Sequence, residues 1–378
     1  MRNEKENRNI LFTGAITMAE ETIWISLLEM NGLVKINVNT GDVQFVDCFK
    51  DEKYDYQLHT QIISYRNKLF FVPWNAENIA VYDIRKGELR NVSGYRFEKK
   101  GYFAAGLVNG ADLYLVSAVS VQIIRIDMDS EKIVDVYELE HFFEEEPVCL
   151  IPPMKINNSI WKISEDKNEA WKFDLQSGKY MKCEHTFCDG KMIAGCRGKD
   201  CIWIIGDNNR LYQLSKECRY MAQYDIEPVI RRALQSEKPE WIKCICSEHV
   251  LSVIFYDRNC MFKIPLVEGI PVIKEYKYIK FDSAFFPDNY DNLVIMLNNR
   301  ALMMEDEEEK EVTFHVDHVF FTDMLLKNGN RIKETESYGA GLNRYLENLC
   351  GDRADVLPTG AHNGGTAGKR IFDSVKEG

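Results

Sequence analysis

The chain has 378 residues, of which 45% are apolar and 12% aromatic, enough to bury a large globular core. Its 47 Lys and Arg against 59 Asp and Glu give a formal net charge of -12 at pH 7. This charge repels phosphate backbones and anionic lipid surfaces, and only short basic clusters oppose it. We therefore expect no nucleic-acid partner and no membrane partner.

The amino terminus and the cysteines indicate a reducing compartment. Residues 2–8 are polar or charged and precede no signal-peptide stretch, and no run of about 18 apolar residues follows anywhere. The 11 Cys are odd in number and lack the spacing of a disulfide framework, which fits free thiols. We expect a cytoplasmic protein whose residues 1–9 are flexible.

A short pattern recurs along the chain, and its clearest copies are Gly32–Asp42, Ile79–Glu88 and Ala170–Lys179. Each copy has an alternating strand, an Asp or Asn, an apolar residue, two polar residues, a Gly and a charged residue that opens a second strand. The Asp or Asn side chain can bond the backbone two residues on, and Gly supplies the positive φ of a tight turn. The pattern predicts a strand-turn-strand hairpin.

Weaker copies begin at Ile124, Leu211, Met261 and Leu302, so that seven copies follow one another every roughly 40 to 50 residues. A further alternating strand precedes each copy, and innermost strands such as Thr60–Tyr65 lie further upstream. Four short strands per repeat are typical of propeller blades. The seven preceding strands are Thr22–Leu28, Lys68–Pro73, Asp112–Ser117, Ser159–Ile163, Cys201–Ile205, Val250–Phe255 and Asn292–Leu297.

These Asp-apolar-x-x-Gly turns resemble the repeats of quinoprotein-like and YVTN-type propellers, within the wider WD40-like superfamily. The resemblance implies an all-β fold, a seven-bladed β-propeller of four-stranded antiparallel blades over residues 10–326. The Gly-His and Trp-Asp dipeptides of WD40 proteins do not recur, nor does the Gly-Gly of kelch repeats. The Trp docking motif of quinoprotein dehydrogenases is also missing, so no cofactor is expected.

The ends and one insertion depart from the repeat. Ile226–Ser236 contains Pro228 and apolar residues at helical spacing, which predicts a short helix before the sixth blade. Ring closure has two candidates, a strand at Ile10–Thr13 or one at Val319–Leu325. Residues 327–378 predict a tail with two small amphipathic helices, which pack on the propeller or contact a partner.

The resemblance also selects candidate ligand contacts, because loops after the second strand and between blades share the usual ligand face of a propeller. Aromatic groups beside polar groups can stack on sugars, bases or peptide side chains. Trp74 is the first choice, and the alternative is that each such residue only seals a blade edge. The candidates are Tyr56, His59, Trp74, Asn75, Glu77, Tyr102, Trp241, Tyr256, Asp257 and Arg258.

Metal and catalytic signals are weak. Cys183, Cys188, Cys196 and Cys201 are of a type that binds zinc, but their spacing fits no known zinc finger. Alternation places Cys183 and Cys196 in strands as small apolar fillers. No catalytic sequence signature occurs, and no metal site is expected.

Two functional hypotheses follow. The first is a non-catalytic binding or scaffold module whose top-face loops bind a protein or glycan partner. The alternative is a propeller enzyme, a lyase, lactonase or glycosyl-group enzyme, with carboxylates and a His at the channel mouth. An enzyme should gather such groups in a concave site with shifted pKa values, whereas a scaffold should expose a broad aromatic and polar surface.

Overall fold

The computed structural model of the chain describes residues 14–28, 30–52, 56–92, 97, 101–118, 122–139, 151–164, 169–184, 190–233, 242–255, 260–280, 293–297, 300–305, 308–314, 316 and 318–327. The chain divides into two compact units. The first unit comprises residues 1–101, 284–304 and 309–378, and the second comprises residues 102–283 and 305–308.

Antiparallel sheets make up both units, and within each sheet the strands mostly pair in chain order. We call the sheets with four or more strands blades. Blade 1 has β1 (Gly14–Ala19), β2 (Thr22–Leu27), β3 (Leu33–Asn37) and β4 (Val43–Asp47); blade 2 has β5 (His59–Tyr65), β6 (Lys68–Pro73), β7 (Ala80–Asp83) and β8 (Glu88–Asn91); blade 3 has β9 (Phe103–Asn109), β10 (Asp112–Ser117), β11 (Gln122–Asp127) and β12 (Lys132–Glu138).

The remaining sheets continue in the same order. Blade 4 has β13 (Met154–Ile156), β14 (Ser159–Ile163), β15 (Glu169–Asp174) and β16 (Tyr180–Glu184); blade 5 has β17 (Met192–Arg197), β18 (Cys201–Gly206), β19 (Arg210–Ser215) and β20 (Tyr220–Asp225), then helix α1 (Glu227–Ala233). Blade 6 has β21 (Ile242–Cys246), β22 (Val250–Phe255), β23 (Cys260–Val267), the short β24 (Ile270–Pro271) and β25 (Lys277–Lys280). A three-stranded sheet has β26 (Leu293–Leu297), β27 (Arg300–Glu305) and β28 (Glu308–Thr313), and helix α2 (His318–Lys327) follows it.

Six blades are complete in the described part of the chain, and the last sheet has three strands there. The predicted all-β fold of four-stranded antiparallel blades is therefore confirmed. The predicted count of seven such blades is not, since six and not seven have all four strands. Residues 281–292, which precede β26, lie outside the described residues.

The second strand of each blade is buried almost throughout. All residues of β14 and β18 are buried, and in β2, β6, β10 and β22 only the first residue is not. A strand buried on both faces needs other elements to cover it, and within each unit the stacked blades cover one another. The outermost strand β12 instead alternates between exposed and half-buried residues, as expected when solvent covers one side.

Blades stack within each unit through their first strands. In the first unit β1 lies beside β5. In the second unit β9 lies beside β13, β13 beside β17, and β17 beside β21. Apolar clusters fill the spaces between neighbouring blades in both units, and a further cluster joins blade 1 to the three-stranded sheet and α2.

The predicted turns form as the sequence indicates. Asp83 Oδ1 accepts the backbone N–H groups of Arg85 and Lys86, each at 3.1 Å, and Gly87 follows at a φ of 68°. Asn37 and Asp174 make the same kind of turn before Gly41 and Gly178, which also have positive φ. In blades 3 and 5, Glu131 and Cys218 take the left-handed position instead of Gly.

One predicted helix is confirmed and one predicted strand is wrong. Helix α1 begins at Glu227, whose N–H bonds Asp225 Oδ1 at 2.9 Å, with Pro228 in its first turn. Val319–Leu325, the candidate closing strand, is helical and belongs to α2. Phe321 and Leu325, four residues apart, lie on one face of this helix and both pack into the core.

Several predicted features lie outside the described residues: the strand Ile10–Thr13 and both tail helices within residues 328–378. Among the residues that are described, no helix is both long and apolar enough to cross a membrane.

Candidate functional site

The loop between β6 and β7, Trp74–Ile79, carries three of the predicted ligand contacts and is held tightly to the chain before β5. The N–H groups of Trp74 and Ala76 both donate to the carbonyl of Leu58, at 2.7 and 3.2 Å. The Asn75 side chain donates from Nδ2 to the carbonyl of Tyr56 at 2.8 Å. These bonds fix the loop backbone, and the Asn75 amide nitrogen is used inside the fold.

A carboxylate closes the same loop from the other side. Glu52 Oε2 accepts the N–H of Glu77 at 2.7 Å, and Oε1 accepts the N–H of Asn78 at 3.1 Å and its Nδ2 at 2.9 Å. Burial raises the pKa of Glu52 above its usual value, against the lowering effect of these bonds, and the nearby charge of Glu77 raises it further. Both oxygens of Glu52 therefore accept hydrogen bonds from the loop. Glu52 has a structural role here, and we call this set of bonds the loop clasp.

His59 opens β5 and lies inside the first unit with 3% of its surface exposed. Its Nδ1 lies 2.8 Å from Ser26 Oγ, and its ring contacts Phe49 and Phe71 with centroids 4.4 and 5.2 Å away. Within the described part of the chain its Nε2 has no hydrogen-bond partner. Burial lowers the pKa of His59 to about 3, so its imidazole is neutral at pH 7.

The predicted contacts are thus distributed over several environments. Asn75, Glu77 and His59 are buried, whereas Tyr56 and Trp74 are half-buried in the first unit. Tyr102 is half-buried in the second unit, at a φ of 49°, and its carbonyl accepts the N–H of Ala118 at 2.7 Å. Trp241, Tyr256, Asp257 and Arg258 lie outside the described residues.

Exposed apolar side chains occur elsewhere in the second unit, mostly on its outermost strands. Met181 in β16 is 58% exposed and Met221 in β20 is 54% exposed, each directly after an exposed Tyr. Blade 6 adds Val267 at the end of β23 and Ile270 in β24. We call this set the outer apolar rim, and its members are Val134, Val136, Tyr180, Met181, Tyr220, Met221, Val267 and Ile270.

Strand register shows that rim residues of different blades occupy equivalent positions in their strands. Tyr180 pairs with Phe173 and Tyr220 with Leu214, so that Met181 and Met221 follow equivalent positions in blades 4 and 5. Val134 follows the equivalent position in blade 3. In blades 1 and 2 the same position holds the polar residues Gln44 and Arg90. The signal in the sequence, a repeated Tyr-Met at the start of the fourth strand, was not used in the prediction of the site.

The cysteine residues do not assemble a metal centre in the described residues. Cys196 and Cys201 lie in the apolar cluster between blades 5 and 6 together with Cys244 and Cys246, all buried. Burial raises the pKa of the Cys246 thiol to about 12, so it is a neutral filler at pH 7. No group of three metal-binding side chains is found in the described ranges. Cys188 lies outside them.

Comparison with known proteins identifies the fold. No family model matches the sequence, and no curated protein matches it. A chain in the crystal structure of the mitotic checkpoint complex is similar, with a TM-score of 0.52 and 10% identity over 81% of this chain and 91% of that chain. The WD40 repeats of RRP9 are similar with a TM-score of 0.51 and 11% identity, over 79% of this chain and 89% of that one. The fold is a β-propeller. At these identities the likeness of the propeller to WD40 repeats concerns the fold alone.

Proposed function

We propose that this propeller is a non-catalytic binding module for a protein partner, and that the outer apolar rim is its contact surface. The observation that carries the proposal is the exposure of Met181, Tyr220 and Met221 at the start of successive outermost strands. Exposed apolar groups in one region commonly mark interaction surfaces. The polar groups of the β6–β7 loop, in contrast, are already engaged within the fold.

The chemistry of the rim suits an extended protein segment. Tyr and Met are enriched at protein interfaces, and Met adapts its shape to irregular partners. The strands β16 and β20 stand at the end of the strand order in their sheets, as far as the described residues extend. Such an edge offers backbone hydrogen bonds to an added strand, while alternate side chains supply apolar contacts.

The comparisons favour a protein over a glycan as the partner. One similar chain comes from the structure of a multiprotein complex, and no similar structure quoted above is described with a glycan. We favour binding over the enzyme alternative because Glu52 and His59, the described acid and imidazole groups with shifted pKa values near the predicted site, are engaged in the loop clasp or buried.

The test captures partners with the full chain. A double variant, Met181→Lys and Met221→Lys, places two charges on the rim at exposed positions, where the effect on stability should stay within about 0.5 kcal/mol. Gln44→Lys, at the equivalent position of blade 1, is the matched control. Trp74→Ala tests the predicted loop contact in parallel.

We expect the double variant to lose a partner that wild type, Gln44→Lys and Trp74→Ala all retain. The lost protein must then bind purified wild type directly, and sedimentation of wild type alone shows whether a second copy occupies the rim instead. Retention of every partner by the double variant contradicts the rim as the contact surface. If only Trp74→Ala loses the partner, the partner binds at the β6–β7 loop and not at the rim.

We also infer that the three-stranded sheet is a seventh blade. Ala301 and Val312 pack into the same apolar cluster as Ile23 and Ile25 of blade 1, as a neighbouring blade would. The seventh copy of the sequence repeat begins in β27 and ends at the start of β28. An experimental structure with a fourth strand beside β26 would support this, and one in which β26 is covered by a helix would contradict it.

A further inference from the structure

The residue that opens the outermost strand changes its charge between blades. It lies opposite the last residue of the third strand, and we call this place the strand-opening position. It is an acid in blades 1 and 2 and a cation in blades 3, 4 and 5. The five residues are Asp42, Glu88, Lys132, Lys179 and Arg219, opposite Asn37, Asp83, Asp127, Asp174 and Ser215. Two positions after each cation stands a rim residue, Val134, Met181 or Met221, so the change of sign accompanies the outer apolar rim.

The three cations are exposed, and their charges are not used within the described part of the chain. No hydrogen bond, ion pair or ring contact engages the side chain of Lys132, Lys179 or Arg219 there. The backbone carbonyls of Lys179 and Arg219 accept N–H groups of the third strand, each at 2.8 Å. The sheet therefore fixes the backbone at these positions and leaves the charged groups for a partner.

Acids further along the same strands are engaged inside the chain. Asp135 accepts from Arg125 Nη1 at 3.1 Å, and Glu138 accepts from Gln122 Nε2 at 2.8 Å. Asp225 Oδ1 accepts the N–H that begins helix α1 at 2.9 Å. Among the described side chains of these three strands and their strand-opening positions, the charge that has no partner is positive, although the net charge of the chain is -12.

Protection of the strand edge does not explain this positive charge. Charged residues at an exposed edge keep copies of a protein from pairing edge to edge. An acid serves that purpose as well as a lysine does, and blades 1 and 2 have acids at the same position. The sign becomes positive only where apolar residues follow, which indicates a partner with complementary charge.

We propose that the protein segment that binds the outer apolar rim is acidic, with carboxylates that alternate with apolar side chains. Its carboxylates pair with the cation that opens the covered strand, Lys132, Lys179 or Arg219, while its apolar side chains contact rim residues such as Met181 and Met221. The inference rests on the proposed function of the rim, and it adds the chemical class of the partner.

Two synthetic peptides with blocked ends, each of about ten residues, test the proposal on the full chain. One alternates Leu with Glu and the other alternates Leu with Ser, and fluorescence anisotropy measures the binding of each. We expect the Leu-Glu peptide to bind wild type saturably and about tenfold or more tightly than the Leu-Ser peptide. Added salt should reduce this preference, because salt screens exposed charges.

A triple charge reversal identifies the cations responsible. It combines Lys132→Glu, Lys179→Glu and Arg219→Glu, and it should remove the preference for the Leu-Glu peptide. The matched control combines Lys50→Glu, Arg85→Glu and Arg210→Glu, which are exposed cations outside the rim. It changes the net charge equally and should keep the preference. Melting temperatures of both triple variants are measured alongside.

A charge-neutral variant, Met181→Ser with Met221→Ser, separates failure of this proposal from failure of the rim. If both peptides bind wild type equally tightly and this variant weakens both, the rim is the contact surface and the acidic preference is overturned. If this variant binds both peptides as wild type does, the rim itself is contradicted.

Three other outcomes overturn the acidic segment. In the first, the Leu-Glu peptide does not saturate wild type. In the second, the triple reversal binds this peptide as tightly as the control does. In the third, sedimentation shows that wild type self-associates and that the triple reversal dissociates it, so that the acidic occupant is a second copy of the chain.

Discussion

At the scale of single residues, burial decides the state of His59. The sequence placed it near the entrance of an inner strand, where an exposed imidazole could contact a ligand. In the structure Phe49 and Phe71 cover the ring, and its Nδ1 bonds Ser26 of the neighbouring blade. No local pattern around residue 59 predicts this, because the covering residues come from other strands and loops.

The pH dependence of stability should report this burial. The pKa of His59 is lowered from 6.5 to about 3 on folding, so the folded state favours the neutral ring. The contribution of His59 to the free energy of unfolding is complete above pH 6.5. It is lost as the pH falls from 6.5 towards 3. Between pH 7 and pH 5 we expect the free energy of unfolding to fall by about 2 kcal/mol from this group, measured by urea denaturation.

The comparison that isolates His59 is between variants. His59→Leu should lack this part of the pH dependence, whatever its own stability at pH 7. His249→Leu, which removes an exposed histidine of blade 6, should keep it. An unchanged pH dependence in His59→Leu would contradict the assignment.

The turn glycines allow a second prediction at this scale. Gly87 and Gly178 have φ of 68° and 66°, and a left-handed Ala costs about 1 kcal/mol or more. A Cβ at Gly87 would meet nothing nearer than Tyr82 Oη at 3.9 Å, whereas at Gly178 it would lie 3.0 Å from Tyr137 Cε1. The Tyr137 ring packs on Phe173, with centroids 5.0 Å apart.

Gly178→Ala should therefore lower the free energy of unfolding more than Gly87→Ala does. Parallel urea denaturation of the two variants measures the difference. Equal losses would mean that the Tyr137 ring moves aside at no cost.

At the scale of elements, helix α2 secures the carboxyl-terminal end of the described first unit. Phe321 packs edge-on against Phe45 of β4 with ring centroids 5.7 Å apart, and Leu325 is fully buried one turn later. Leu325→Ala should lower the free energy of unfolding by about 2 to 4 kcal/mol through the cavity it leaves. Phe320→Ala, at a side chain 53% exposed, should stay within about 0.5 kcal/mol.

Thermal and urea denaturation of both variants give the measurement. A loss with Phe320→Ala as large as with Leu325→Ala would contradict the packing of α2 described above.

The hairpins were predictable because their causes are local. An Asp or Asn bonding the next backbone N–H groups, followed by a residue of positive φ, specifies the turn within five residues. The second strands were also predicted nearly to the residue, from Lys68–Pro73 to Val250–Phe255. Val319–Leu325 was not, since a short apolar run fits a strand or a buried helix equally well, and tertiary packing on Phe45 decides.

The candidate site was less predictable than the strands. Resemblance to propellers directed attention to Trp74, Asn75 and Glu77 in loops, but whether a loop side chain is exposed depends on distant residues such as Glu52. Met181 and Met221 lie in strands, where apolar residues are expected to be buried. Only the strand order shows that these strands are outermost.

At the scale of the whole molecule, repetition explains both what the sequence reveals and what it conceals. Each blade needs a neighbour to cover its faces, so a recurring hairpin implies stacked blades even at 10% identity to known propellers. The same fold supports many functions, so function must be sought in positions where blades differ. One such difference lies near the start of the fourth strand. This position is apolar in blades 3 to 5 and polar in blades 1 and 2.

Hydrogen-deuterium exchange of the propeller with and without its captured protein partner tests the central claim most directly. The account predicts slower exchange on partner binding in β12, β16 and β20, where an added segment covers the strand edge, and no change in β4 or β8. Protection confined to the β6–β7 loop, with β16 and β20 exchanging as in the free protein, would contradict it.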